Sequence, residues 1–161
     1  IGVLIAAWLF ARKRHRDIWT VLGSLALFAP VGLFFGRIAN FINGELWGKP
    51  TDGSWGVIFP MAGISPRHPS QLYEALLEGV ILFLILLIVL RKTRNVTLTG
   101  PLFGVFYGFF RFLVEFYREP DIQIGYLLWG WVTMGQVLSL FVILFSLVIY
   151  IVFHEKKEKI E

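Results

Sequence analysis

Two clusters of polar side chains interrupt an otherwise apolar chain, and both are built to hold an anion. Gly36-Arg37-Ile38-Ala39-Asn40-Phe41-Ile42-Asn43-Gly44-Glu45-Leu46-Trp47-Gly48 sets an arginine, two asparagines and a glutamate among glycines, directly after an apolar run long enough to cross a bilayer. Charge at the end of a membrane segment is costly unless it meets a charged or polar partner, so this cluster reads as a site. Farther on, Tyr107, Arg111, Glu115 and Arg118 fall at i, i+4, i+8 and i+11 of a helix, one stripe on one face. A guanidinium offers paired donors to phosphate oxygens, so Arg37 and Arg111 are the candidates to hold a lipid phosphate between them. Asn40, Asn43 and Glu45 carry the groups that bond headgroup hydroxyls, while Gly44 and Gly48 let backbone approach closely.

Each of these residues also has a purely structural reading. Arg37 could be a snorkelling interfacial anchor, though the adjoining Asn and Glu side chains favour substrate binding. Arg111 with Glu115 suits an interhelical ion pair as well as phosphate binding, and the two roles are compatible. Glu74 and Glu78 are expected to be structural carboxylates near a helix N-terminus, where the dipole favours them. His68 is the only histidine on its side of the chain, and we count it among the binding candidates. Standing before Pro69 at a helix entrance, it reads foremost as a structural or capping residue. The spacing of Gly104 and Gly108 would let two helices approach closely.

Composition decides what kind of molecule positions these groups. With 57% hydrophobic and only 16% charged residues, and a mean hydropathy of +0.70, the chain carries more apolar surface than a soluble domain of this length could bury. It reads as an all-α integral membrane protein. The net charge of +4 would suit a nucleic-acid partner, but the basic residues sit in short loops between apolar runs, so no nucleic acid is expected. Cysteine is absent, which excludes a thiolate metal site or a cysteine nucleophile supplied by this chain. Any reacting thiol must come from the substrate.

Five apolar stretches follow one another. Ile1 to Ala11 is about half of the ~20 residues that a span needs, so a helix beginning upstream of Ile1 is expected. The basic cluster Arg12, Lys13, Arg14, Arg16 follows this run instead of preceding it, which argues against a secretory signal. Ile18 to Gly36 spans and contains Pro30, Leu72 to Leu90 spans, and Leu102 to Tyr117 spans despite Arg111 and Glu115. The last begins near Thr133, where Thr133-Met134-Gly135-Gln136 fits a capping box, and runs to Phe153. Tyr126, Trp129 and Trp131 before it would form an interfacial aromatic belt. The expected fold is one polytopic bundle over residues 1–161, about four full transmembrane helices plus a truncated first one, with a long outer loop from Gly36 to Gln71.

Orientation follows from the basic residues. Arg12, Lys13, Arg14, Arg16, Arg91, Lys92, Arg94, Lys156, Lys157 and Lys159 fall on one side, against Arg37, Lys49, Arg67 and Arg118 on the other. By the positive-inside rule the richer side, with the C-terminus, is cytoplasmic and the long loop faces outward.

Taken in order, Gly36 to Gly48, Arg67-His68-Pro69-Ser70-Gln71-Leu72-Tyr73-Glu74, and Tyr107-Gly108-Phe109-Phe110-Arg111 with Glu115, Phe116 and Arg118 resemble the bacterial prolipoprotein diacylglyceryl transferases. The likeness covers essentially the entire chain and corresponds to the C-terminal two-thirds of that family. It implies transfer of a diacylglyceryl group from phosphatidylglycerol to the lipobox cysteine of a secreted precursor, releasing glycerol phosphate, in a seven-helix inner-membrane enzyme. By the same resemblance Arg37 binds phosphatidylglycerol beside Asn40 and Gly48, Arg111 is a second essential arginine supported by Tyr107 and Glu115, and Glu45 contributes. The family's His-Gly-Gly motif, whose histidine is proposed to help activate the thiol, and an essential N-terminal tyrosine would lie upstream of Ile1. Ala39 stands where many relatives have glycine. The chemistry so implied needs no cofactor and no metal: a thiolate attacks the glycerol carbon next to the phosphate, and two arginines placed in advance stabilise the charge growing on the departing phosphate. A transporter subunit would instead spread its charges along a path to both faces. A noncatalytic lipid-binding scaffold would bind the same phospholipid without turnover.

Overall fold

The computed structural model describes residues 1–120, 125–128 and 130–158, with side chains except at 128 and from 153 onward; Trp129 and Lys159 lie outside the described residues. The helices are α1 (Gly2–Lys13), α2 (Ile18–Asn43), α3 (Ser70–Thr93), α4 (Thr99–Val114) and α5 (Met134–Glu158). Four of them, counting α4 with the 3₁₀ turn Val96–Leu98 that leads into it, are long and apolar enough to cross a membrane. The chain is therefore a polytopic helical membrane protein.

Local chemistry explains the helix limits. Asp17 caps α2 by accepting from Thr20 N–H at 2.8 Å. Contrary to expectation, α2 does not end at Gly36. Nothing from Arg37 to Asn43 forbids helix, a single glycine costs only about 1 kcal/mol, and the helix stops at Gly44, which takes the left-handed φ of +67°. The outer loop thus starts at Gly44, and most of the first polar motif is helical. At the start of α5 the expected capping box is present in both directions: Thr133 N–H donates to Gln136 Oε1 at 3.0 Å, and Gln136 N–H donates to Thr133 Oγ1 at 3.2 Å. The segment before it is not plain loop, since Tyr126–Leu128 pairs antiparallel with Val132–Thr133.

Small residues set the helix spacing. A Cβ on Gly108 would lie 2.7 Å from Ile143 and 2.9 Å from the Ser139 carbonyl oxygen, and Gly104 meets Ser146, so α4 and α5 touch almost backbone to backbone. On α3 a Cβ at Gly79 would lie 2.7 Å from Phe34 Cβ of α2. This contact falls within a π-helical stretch, Ala75–Ile81, that interrupts α3 between ordinary α-helical turns. Leu27, Leu82, Leu86 and Phe110 close the centre between α2, α3 and α4. Along α3 the fully buried positions Glu74, Glu78, Leu82 and Leu86 recur every fourth residue, acidic at the loop end and apolar below.

Candidate functional site

The C-terminal ends of α2 and α4 and the N-terminal ends of α3 and α5 come together beside the long loop. There Arg37 and Arg111 converge on α3. Arg37 Nε lies 3.1 Å from Glu74 Oε2 and its Nη2 lies 3.4 Å from Glu78 Oε2. Arg111 Nη1 pairs with Glu74 Oε1 and lies 4.0 Å from Glu78 Oε1, while its Nη2 is 3.0 Å from Glu115 Oε2. Arg118 Nη1 is 4.0 Å from that same Glu115 oxygen. The space between Arg37 and Arg111, where the sequence suggested a phosphate, is thus held by two carboxylates. Glu74 and Glu78 have no accessible surface, whereas the side chains of Arg37 and Arg111 retain 17% and 13%, so the arginines are the accessible members of the pairs.

The span expected to reach Tyr117 stops at Val114, so Glu115 is the C-cap of α4 and Arg118, bridged to Gly48, lies beyond the helix. Tyr107, Arg111, Glu115 and Arg118 nonetheless line one cavity of about 370 Å³ between α4 and α5, with Met134, Gly135 and Ser139. Gly135 is essential to its shape: a Cβ there would lie 2.6 Å from the Glu115 carboxylate. Thr133 Oγ1 donates to Glu115 Oε1 at 3.0 Å, which links the start of α5 to the charged stripe.

The rest of the first motif plays another part in the geometry. With its amide turned so that nitrogen faces acceptors, Asn40 donates to Glu45 Oε1 at 3.1 Å, and Asn43 Nδ2 donates to the same oxygen at 3.3 Å. Glu45 itself donates its N–H to Asn40 O at 3.0 Å, so the three residues finish α2 as one polar cap. That cap is tied to α3, because Gln71 Nε2 donates to Glu45 O at 2.6 Å and Ser70 Oγ to Leu46 O at 3.1 Å. Gly48 sits at a crossing of three segments. Its N–H donates to His68 O at 2.9 Å, and a Cβ would lie 2.6 Å from both His68 O and Tyr117 O. Arg67 closes the crossing by donating to Gly48 O at 3.2 Å and pairing with Glu119 at 2.8 Å.

The His68 ring sits in an aromatic nest. Tyr117 and Tyr73 meet its ring edge-on at centroid distances of 5.2 and 6.0 Å. Trp55 Nε1 donates to Nδ1 at 3.5 Å, and the Tyr73 hydroxyl lies 3.2 Å from the same nitrogen. Indole has only a donor to offer, so Nδ1 is the accepting side of that contact. Trp131 stacks on Phe116 and Tyr126 underlies Lys49, both half-exposed at the loop side.

Sequence reasoning missed the central part played by Glu74 and Glu78. A signal was present: two carboxylates on one face of a membrane-length helix require cations, and Arg37 and Arg111 are the cations the neighbouring helices supply.

The family profile described as Prolipoprotein diacylglyceryl transferase matches residues 1–152. A protein named phosphatidylglycerol–prolipoprotein diacylglyceryl transferase from Nitratidesulfovibrio vulgaris (strain DSM 19637 / Miyazaki F) is 57% identical over 140 residues, which is 87% of this chain and 53% of that protein. Proteins of the same name from Solidesulfovibrio magneticus and Pseudomonas fluorescens (strain SBW25) are 58% and 56% identical over 91% and 89% of this chain, and 56% and 54% of their own lengths. The chain spans about half the length of these relatives.

Proposed function

The chain belongs to the prolipoprotein diacylglyceryl transferase family, and from that membership we propose that it acts in transferring the diacylglyceryl group of phosphatidylglycerol to the lipobox cysteine thiol of a prolipoprotein. The observation that carries this reading is the meeting of Arg37 and Arg111 around Glu74 and Glu78 at the loop end of the bundle. Two partly accessible guanidiniums, held in fixed relation by buried carboxylates, are preorganised for an anion.

In the proposed step the thiol sulfur attacks the glycerol carbon bearing the phosphate. A carbon–sulfur bond forms, the carbon–oxygen bond to the phosphate breaks, and its electron pair leaves on glycerol phosphate. The thiol proton departs with the released monoester or to solvent. Negative charge on the phosphate grows as the bond breaks, and Arg37 and Arg111 oppose that growth. Tyr107, Glu115 and Arg118 line the adjoining cavity and are assigned to holding the lipid head and Arg111. Asn40, Asn43, Glu45, Gly48 and His68 are assigned to shaping the loop side on which the peptide and headgroup arrive. The basic residues at the ends of α1, α3 and α5 support, by the positive-inside rule, a cytoplasmic C-terminus and a site toward the periplasmic face of a bacterial inner membrane.

The test is reconstitution of the protein as its gene encodes it with labelled phosphatidylglycerol and a lipobox peptide. Transfer of label to the peptide with release of glycerol phosphate is expected. Stable lipid binding without either product would make the protein a lipid-binding scaffold.

A further inference from the structure

Among the described residues the charged centre is balanced. Three guanidiniums, Arg37, Arg111 and Arg118, face three carboxylates, Glu74, Glu78 and Glu115, at separations of 4.0 Å or less. A phosphodiester adds a negative charge to this set. Burying an uncompensated charge is strongly unfavourable, so either a carboxylate must leave or one must be neutralised. Neither Glu74 nor Glu78 has accessible surface.

The two are not held equally. Glu74 takes one arginine on each oxygen. Glu78 has a long 3.4 Å bond from Oε2 to Arg37, and its Oε1 is 4.0 Å from Arg111 with no hydrogen-bond partner. The charged and titratable groups facing it are Arg37 from α2, Glu74 from its own helix, and Arg111 and Tyr107 from α4. Oε2 of Glu74 and Oε2 of Glu115 also lack a hydrogen bond, but each lies within 3.1 Å of a guanidinium nitrogen. Glu78, whose nearest guanidinium nitrogen is 3.4 Å away, is the most weakly paired of the three, and its Oε1 can take a proton without breaking a hydrogen bond.

We infer that Glu78 is the resident counter-ion that an anionic phospholipid replaces: the phosphate takes over Arg37 and Arg111, and Glu78 takes up a proton from solvent and stays in place as the neutral acid. This rests on the reading of phosphatidylglycerol as donor. Glu78 is then a positioning residue that couples lipid binding to protonation. Because binding consumes a proton, lipid affinity is highest at low pH and falls as pH rises, by about tenfold per pH unit where uptake is complete.

The test is calorimetric titration of the protein, as its gene encodes it and in detergent micelles, with phosphatidylglycerol in buffers of different ionisation enthalpy. The expected result is net uptake of about one proton per lipid bound. Glu78→Gln should abolish the uptake, flatten the pH dependence and bind more tightly than the parent at high pH. Parent protein that binds the lipid without proton uptake, or a pH slope that survives in Glu78→Gln, overturns the inference while leaving the donor assignment intact. Parent protein that binds no phosphatidylglycerol overturns both. Should Glu78→Gln not fold, the proton count of the parent decides alone.

Discussion

Arg37 and Arg111 grip opposite oxygens of one buried carboxylate: Arg37 Nε lies 3.1 Å from Glu74 Oε2 while Arg111 pairs with Glu74 Oε1. Residues from two helices are thereby held in fixed relation by a third. Guanidiniums already fixed in this way need no reorganisation when charge develops on a group at their accessible faces, which is the condition for electrostatic catalysis. Losing one such donor typically raises a barrier by about 2.7–4 kcal/mol. Arg37→Ala or Arg111→Ala in the protein as its gene encodes it is therefore expected to cut lipoprotein modification by about 10²–10³-fold while leaving the protein in the membrane. Arg111→Lys should not rescue, because an ammonium cannot span Glu74 and Glu115 as the planar guanidinium does. A gel-shift assay of lipidation reads this directly, and a variant with normal lipidation removes that arginine from the mechanism.

Glu74 is expected to matter for folding as much as for activity. It has no accessible surface and serves two arginines, so Glu74→Gln leaves both short of a buried counter-charge. Breaking a buried pair from one side costs about 3–5 kcal/mol. Some of this is offset because Arg37 keeps Glu78 and Arg111 keeps Glu115. Thermal unfolding in detergent should show a clear drop in midpoint, and an unchanged midpoint would show that the pair contributes nothing to stability.

Much of this architecture is legible in the sequence wherever a signal is local. The apolar runs, the Thr133 cap, and the stripe of Tyr107, Arg111 and Glu115 depend on spacings within a few turns, while Arg118 joins them from beyond the end of α4. All four line one cavity. What is not legible depends on distant partners. Glu74 and Glu78 look satisfied by a helix dipole until α2 and α4 are placed beside them. The end of α2 is hidden for another reason: Gly36 and Gly44 read alike as breakers, and only the second takes a left-handed φ.

The glycines of the first motif separate in the same way, and they can be tested against each other. A Cβ at Gly36 meets nothing within 4 Å, whereas at Gly48 it would press within 2.6 Å of two carbonyl oxygens belonging to different segments. Gly36→Ala should leave stability unchanged or raise it by up to about 1 kcal/mol, since alanine is the better helix former. Gly48→Ala should destabilise the loop crossing by about 1–3 kcal/mol, the usual range for overpacking. Limited proteolysis of the loop should accelerate for the second variant alone. Equal cleavage rates would mean that the crossing yields without cost.

Thr133 has two roles that can be pulled apart by substitution. It caps α5 together with Gln136, and its hydroxyl also donates to Glu115 at 3.0 Å. Gln136→Leu removes only the first function and should cost about 0.5–2 kcal/mol of stability, the range measured for lost caps. Thr133→Val keeps the shape but removes the hydroxyl, which leaves a Glu115 oxygen unsatisfied beside Arg111 and Arg118 and frees the carboxylate to shift. The expected outcome is that both variants lose comparable stability, while Thr133→Val alone also loses activity, with the deficit in kcat because Arg111 is no longer held in register. Matching kcat values for the two variants, measured with saturating phosphatidylglycerol, would confine Thr133 to capping.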